Sequence, residues 1–232
     1  MGARALTAAP GRMRIRQTGA RATAVAGAVL ALACAGDAPE PPPESPPDGV
    51  YGQAPAAVGG IPSFVTLDGE GVPAPGAAAT PEAAASAEAT AGPELDQFGL
   101  AFSPRALVVR VGEPLAVTNS EQLAHNVTIR FAENDSTVVN TDTDGGESFE
   151  LRFDRPGGYF VSCSVHPGMT AFIYVTPAQY ATVAEPDGSF LLTDVPPGTY
   201  TLSVWSTDAT LRSTQEVEVG AGPTEVGVRA PG

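Results

Sequence analysis

Cys163-Ser164-Val165-His166-Pro167-Gly168-Met169 joins two apolar runs, residues 159–164 before it and 170–176 after it. Both runs are rich in β-branched and aromatic residues and read as strands. The loop between them is Cys-x2-His-x2-Met. The chain has only one other histidine, His125, and Met169 is its only methionine beyond Met13. Its second cysteine, Cys34, lies near the amino terminus. Two imidazoles, one thiolate and one thioether are the ligand set for a single copper ion. His125, Cys163 and His166 would hold it in a trigonal plane, with Met169 as a weak axial ligand that tunes its potential. A lone histidine or methionine in an apolar strand is usually packing, and a free cysteine is often a small buried hydrophobe. Four ligands of three types at this spacing, in a chain with no spare histidine to make chance matches, point to metal.

The same scarcity excludes other chemistry. Enzymes with several catalytic copper centres need histidines that are absent here, and no Ser-His-Asp set can be drawn without taking a copper ligand. The glycine runs lack a phosphate-cradling motif with its lysine, and the chain has no lysine at all. One mononuclear copper with no open substrate position suggests electron transfer or metal handling. It argues against an enzyme and against a small-molecule substrate.

Working outward, short β-type runs are punctuated by Gly, Pro, Asn and Asp, with no helical period. Candidate strands are 98–102, 106–111, 114–118, 126–131, 148–153, 159–164 and 170–176. Phe149, Leu151 and Phe153 alternate with Glu150 and Arg152, as a half-buried antiparallel strand requires. Seven short strands in about eighty residues predict an all-β, Greek-key sandwich.

With these residues in view, the stretch from about Leu95 to Val175 resembles the plastocyanin-like cupredoxins, with a ligand loop as short as that of amicyanin and pseudoazurin. The resemblance rests on Asp96-Gln97, Phe102-Ser103-Pro104, Val111-Gly112-Glu113, Asn119, His125-Asn126-Val127, and Pro156-Gly157-Gly158-Tyr159 leading into Cys163. It implies one type 1 copper, with the first histidine at a strand end and the other three ligands on the loop between the last two strands. It also implies that His166 reaches the surface, and that Asn126 bonds across to Ser164 and pins the two ligand loops together. Such outer bonds orient ligands and tune the metal. Related bacterial chains often carry an aromatic residue just before the methionine, where this chain has Gly168.

After Pro177 the pattern changes to Glu185-Pro186-Asp187-Gly188-Ser189-Phe190, then Pro196-Pro197-Gly198-Thr199-Tyr200. Pro-Asp-Gly and Pro-Pro-Gly turns separate alternating strands. This resembles a carboxypeptidase-regulatory-like, transthyretin-type β-sandwich, an Ig-like support domain in which we read no chemistry of its own. Its customary opening is found far upstream, in Asp48-Gly49-Val50-Tyr51-Gly52 and Ile61-Pro62-Ser63-Phe64-Val65-Thr66-Leu67. Either that segment is the first cupredoxin strand, or it belongs to a support domain into which the copper domain is inserted. The Ala/Pro/Glu-rich joint after it is too long for a loop inside one compact domain, which favours insertion.

The amino terminus reads as an export signal. Arg12, Arg14, Arg16 and Arg21 precede an apolar stretch from 22 to 33, well short of the ~20 residues of a spanning helix. Ala31-Leu32-Ala33-Cys34 resembles a lipobox, with Cys34 the lipidated residue. An ordinary cleaved signal and an uncleaved anchor are the alternatives. The expected organisation is a signal peptide (1–34), a Pro/Glu-rich tether (35–48), strands assigned to the support domain (49–68), a linker (69–93), the cupredoxin domain (94–176) and the second sandwich (177–232). Cleavage before Cys34 would remove five of the 12 basic residues and none of the 26 acidic ones, leaving 7 against 26, or −19. Such a balance disfavours nucleic acid, whose recognition is led by cationic contacts to phosphate. It would leave the lipid as the only membrane attachment, and it serves either to steer in a basic redox partner or simply to keep the protein soluble. The sequence therefore predicts an exported, periplasmic or cell-surface one-electron carrier. The alternative is a copper-binding or copper-delivery lipoprotein that does not cycle.

Overall fold

The strand that follows the 163–169 loop is covered on both faces. Thr170–Thr176 forms a strand in which Ala171, Ile173 and Val175 point into one core while Phe172 and Tyr174 pack against another. A strand covered on both faces loses polar alternation, and Ala-Phe-Ile-Tyr-Val is such a run.

A computed structural model describes residues 48–69 and 92–228. The expected signal peptide with Cys34, the expected tether up to residue 47 and residues 70–91 of the expected linker lie outside the described residues. In chain order the strands are β1 (Val50–Gln53), β2 (Phe64–Asp68), β3 (Glu94–Phe98), β4 (Ala101–Ser103), β5 (Ala106–Arg110), β6 (Leu115–Asn119), β7 (His125–Phe131) and β8 (Thr137–Thr143). They continue with β9 (Ser148–Leu151), β10 (Gly157–Ser162), β11 (Thr170–Thr176), β12 (Tyr180–Val183), β13 (Ser189–Leu192), β14 (Gly198–Trp205), β15 (Ser213–Val219) and β16 (Thr224–Gly227). The described part is all-β apart from one 3-10 turn, Ala209–Leu211.

Four sheets make two sandwiches. Sheet β4-β3-β6-β9 faces sheet β5-β11-β10-β7-β8 around Leu95, Phe102, Val117, Ile129, Tyr159, Ile173 and their neighbours. Sheet β13-β1-β16 faces sheet β12-β2-β14-β15 around Val50, Leu67, Phe190, Tyr200 and Leu202. Both strands of the segment left open by the sequence belong to the second pair. Within it, β1 sits between β13 and β16, and β2 sits between β12 and β14, with Leu67 opposite both Tyr180 and Leu202. The Pro-Pro-Gly turn is closed by the Tyr200 hydroxyl, which donates to the Pro196 carbonyl at 2.9 Å.

The sandwiches meet at an aromatic cluster of Phe64, Phe172 and Trp205, flanked by Phe160 and Tyr174. Ring centroids are 5.0 Å apart for Phe172–Trp205, 5.4 Å for Tyr174–Trp205 and 5.5 Å for Phe64–Phe172, distances at which aromatic pairs attract. Gly158 makes room for them. A Cβ there would lie 2.5 Å from Phe172 Cζ and 2.7 Å from the Trp205 ring.

Two local expectations need correction. Residues 98–102 are not one strand but the turn of the β3–β4 hairpin, because Gly99 and Leu100 take φ of 65° and 57° and reverse the chain in two residues. The sequence reading also lacked β8. Its Thr-Val-Val-Asn-Thr-Asp-Thr pattern is polar because it is an exposed edge strand, paired only with β7.

Candidate metal centre

His125 opens β7, Cys163 follows the last residue of β10, and Met169 directly precedes β11. Because β10 and β11 pair with Ser162 opposite Thr170, the seven-residue loop begins and ends at adjacent points. It is closed by the Cys163 N–H donating to the Met169 carbonyl at 3.1 Å. The backbone therefore folds the Cys-x2-His-x2-Met spacing into a compact knot. The next strand along the sheet, β7, brings His125 to it.

One ligand atom from each of His125, Cys163 and His166 lies within 4.8 Å of the others. His125, Cys163 and Met169 are buried, and His166 is half-buried. The two Nδ1 atoms are 3.0 Å apart, close enough for one ion to bind both at the ~2 Å distances usual for imidazole nitrogen. The Cys163 sulfur accepts backbone N–H bonds from Asn126 and His166, each 3.4 Å, which compensate negative charge on a thiolate. Soft sulfur beside paired imidazoles, with a buried thioether next in the loop, fits copper.

The loop that carries His125 is fixed by a polar frame. Asn119 Nδ2 lies within hydrogen-bonding distance of the carbonyls of Leu123, Thr143 and Asp144 at 2.8, 3.1 and 3.1 Å. Its Oδ1 accepts from the Glu121 N–H. Gln97, fully buried, donates to the Thr118 carbonyl and accepts from the hydroxyl of Thr143, the residue opposite His125 on β8. Asp96 Oδ1 accepts from the Ser120 N–H and hydroxyl and from the Thr118 hydroxyl. Burial pulls the Asp96 carboxyl up, but bonds from Ser120, Thr118 and Gln97 outweigh it and hold the group below the ordinary carboxylate value.

His125, Cys163 and His166 come together, and Met169 is buried at the end of the same loop, tied to it by the Cys163 N–H on its carbonyl. The expected bond from Asn126 to Ser164 is absent. Asn126 Nδ2 instead donates to Asn140 Oδ1 at 2.9 Å and Asp142 Oδ1 at 2.8 Å, and its Oδ1 accepts from the Thr128 hydroxyl. Ser164 is exposed. The side chain turns to β8 because that strand, missing from the sequence reading, offers two acceptors. The loops are pinned by the Asn126 backbone N–H on the Cys163 sulfur. Glu121, which no motif singles out, is a further residue that sequence reasoning missed. Its Oε1 lies 3.5 Å from His125 Nε2.

Residues 89–176 match the family model of copper-binding proteins of the plastocyanin/azurin family. Residues 164–226 match the model of polysaccharide lyase family 4, domain II. Among solved structures, a methionine-to-alanine variant of amicyanin in the Cu(I) state is 22% identical, over 36% of this chain and 81% of its own, with a TM-score of 0.33. A purple cupredoxin from Nitrosopumilus maritimus is 23% identical over 36% of this chain and 98% of its own, with a TM-score of 0.32. A Cu-containing nitrite reductase from Thermus scotoductus is 23% identical over 37% of this chain but only 22% of its own, with a TM-score of 0.34. No curated protein matches the chain. Ligand chemistry and family model agree: residues 89–176 form a domain that matches the copper-binding proteins of the plastocyanin/azurin family, joined to a second β-sandwich.

Proposed function

We propose that this protein is an exported one-electron carrier, held at a membrane by lipid on Cys34. The observation that carries the reading is the uneven burial of the ligands: His125, Cys163 and Met169 are sealed in, while His166 is half-exposed. Bound copper would supply the redox step by alternating between Cu(I) and Cu(II). The chain's own residues exclude water from three ligands and leave one imidazole edge for transfer. Exposed apolar residues stand on the same ligand loops, with Val165 53% and Leu123 50% exposed. The hairpin tip bonded to the His125 loop adds Leu100, 51% exposed. Such a surface suits a partner that docks briefly by its apolar contacts. The acidic balance of the chain favours a basic one, drawn in at a rate that falls with salt.

A reversible reduction potential, set against the rate of copper transfer to a chelator, separates a carrier from a copper-delivery protein. Fast reversible cycling with slow loss of copper is expected. In the Met169→Leu variant copper should stay bound and the potential should rise, because losing a weak axial donor disfavours Cu(II). A fall in potential would argue against an axial role.

Anchoring is tested separately. In cells, Cys34→Ala should release the protein from membranes or block its processing. A soluble native product with an unmodified terminus at another residue would exclude lipidation.

A further inference from the structure

His125 Nε2 is buried without a hydrogen-bond partner, and the Glu121 carboxylate stands beside it with Oε1 at 3.5 Å. The same oxygen accepts the Leu100 N–H at 2.7 Å. Leu100 sits at the tip of the β3–β4 hairpin with φ of 57°, a conformation that two-residue turns normally give to Asn or Gly. Its side chain is half out in solvent, so burial does not compensate the backbone. What the strained position does provide is an N–H aimed at the carboxylate. The Glu121 N–H is in turn held by Asn119 Oδ1, which fixes the other end of the residue.

We propose that Glu121 is the positioning residue for His125. Its carboxylate takes the Nε2 proton, selects the tautomer that leaves Nδ1 bare toward Cys163 and His166, and is itself held in place by the hairpin tip. A metal-ligating histidine commonly donates its second ring N–H to a carboxylate, and such partners set ring orientation and ligand basicity. Here the link continues one bond further, from a buried ligand through Glu121 to the backbone of an exposed turn. The negative charge beside the site also favours Cu(II) over Cu(I).

The proposal rests on the copper reading, but its first test does not need copper. Nitrogen NMR of the metal-free protein should find His125 as the Nε2–H tautomer. In Glu121→Leu the tautomers should mix, and on loading, copper affinity should fall roughly 10–100-fold, the usual effect of losing an outer partner. Glu121→Gln keeps an acceptor oxygen and removes the charge. It should preserve the tautomer and the charge-transfer band while raising the potential. Leu100→Gly keeps the N–H and should preserve all three. If Glu121→Leu leaves the tautomer and the affinity unchanged, the assignment is wrong. If that variant fails to fold, Glu121→Gln decides: an unchanged potential overturns the proposal. A chain that binds no copper would overturn the electron-carrier reading and still leave the tautomer test to settle this one.

Discussion

Loaded with Cu(II), the native protein should be intensely coloured and the Cys163→Ser variant colourless. The colour of a Cu(II)–thiolate bond is charge transfer from sulfur, and a serine hydroxyl has neither the energy match nor the negative charge to replace it. The surroundings are built for sulfur. Two backbone N–H groups point at Sγ at 3.4 Å, a length suited to a large, soft acceptor. With a serine oxygen there, both donors would be left long or unpaired. Copper affinity should therefore fall by more than the roughly 10–100-fold that loss of an outer hydrogen-bond partner costs. Visible absorption and copper content after dialysis against a chelator read both effects. Colour retained in Cys163→Ser would remove Cys163 from the site, and with it the type 1 assignment.

That site was legible because its chemistry is scarce. Two histidines, one candidate cysteine and one internal methionine leave no competing arrangement, and the Cys-x2-His-x2-Met spacing places three of them in one loop. What holds the ligands was not legible. Glu121 is one of 26 acidic residues, and nothing in its neighbours marks it. Its position follows from a reversed hairpin tip, which composition reads as strand because Phe98, Leu100 and Phe102 are apolar. The Asn126 expectation failed for a related reason. An amide side chain goes where acceptors stand, and those acceptors, Asn140 and Asp142, lie on an edge strand too polar to be read as one. The apolar run in β11 is different. Its lack of alternation is a visible sign that both faces are covered, although the covering residues, Phe64 and Trp205, are 108 and 33 positions away in sequence.

Removing residues 49–68 should therefore damage the copper domain as well as the sandwich to which these strands belong. β2 is an interior strand of its sheet, and four of its five residues are buried. Without it, β12 and β14 lose their shared partner, the core around Leu67 and Tyr200 opens, and Trp205 no longer has Phe64 beside it. Phe160, Phe172 and Tyr174 on the copper-side sheet are then exposed as a contiguous apolar face, the kind of surface that aggregates. A chain of residues 94–176 alone presents the same face and should be poorly soluble even though its strands are complete. The milder Trp205→Ala in the full chain should cost about 3–5 kcal/mol, the range for deleting a large buried aromatic. Gly158→Val should act similarly from the other side, by pushing Trp205 off the sheet. In the native protein, denaturant should abolish the copper colour and shift the emission of the single tryptophan in one coincident transition. Well-separated transitions, or a Trp205→Ala variant whose copper colour is lost at the native denaturant concentration, would mean that the two sandwiches are stable independently. The aromatic seam would then be a contact and not a coupling.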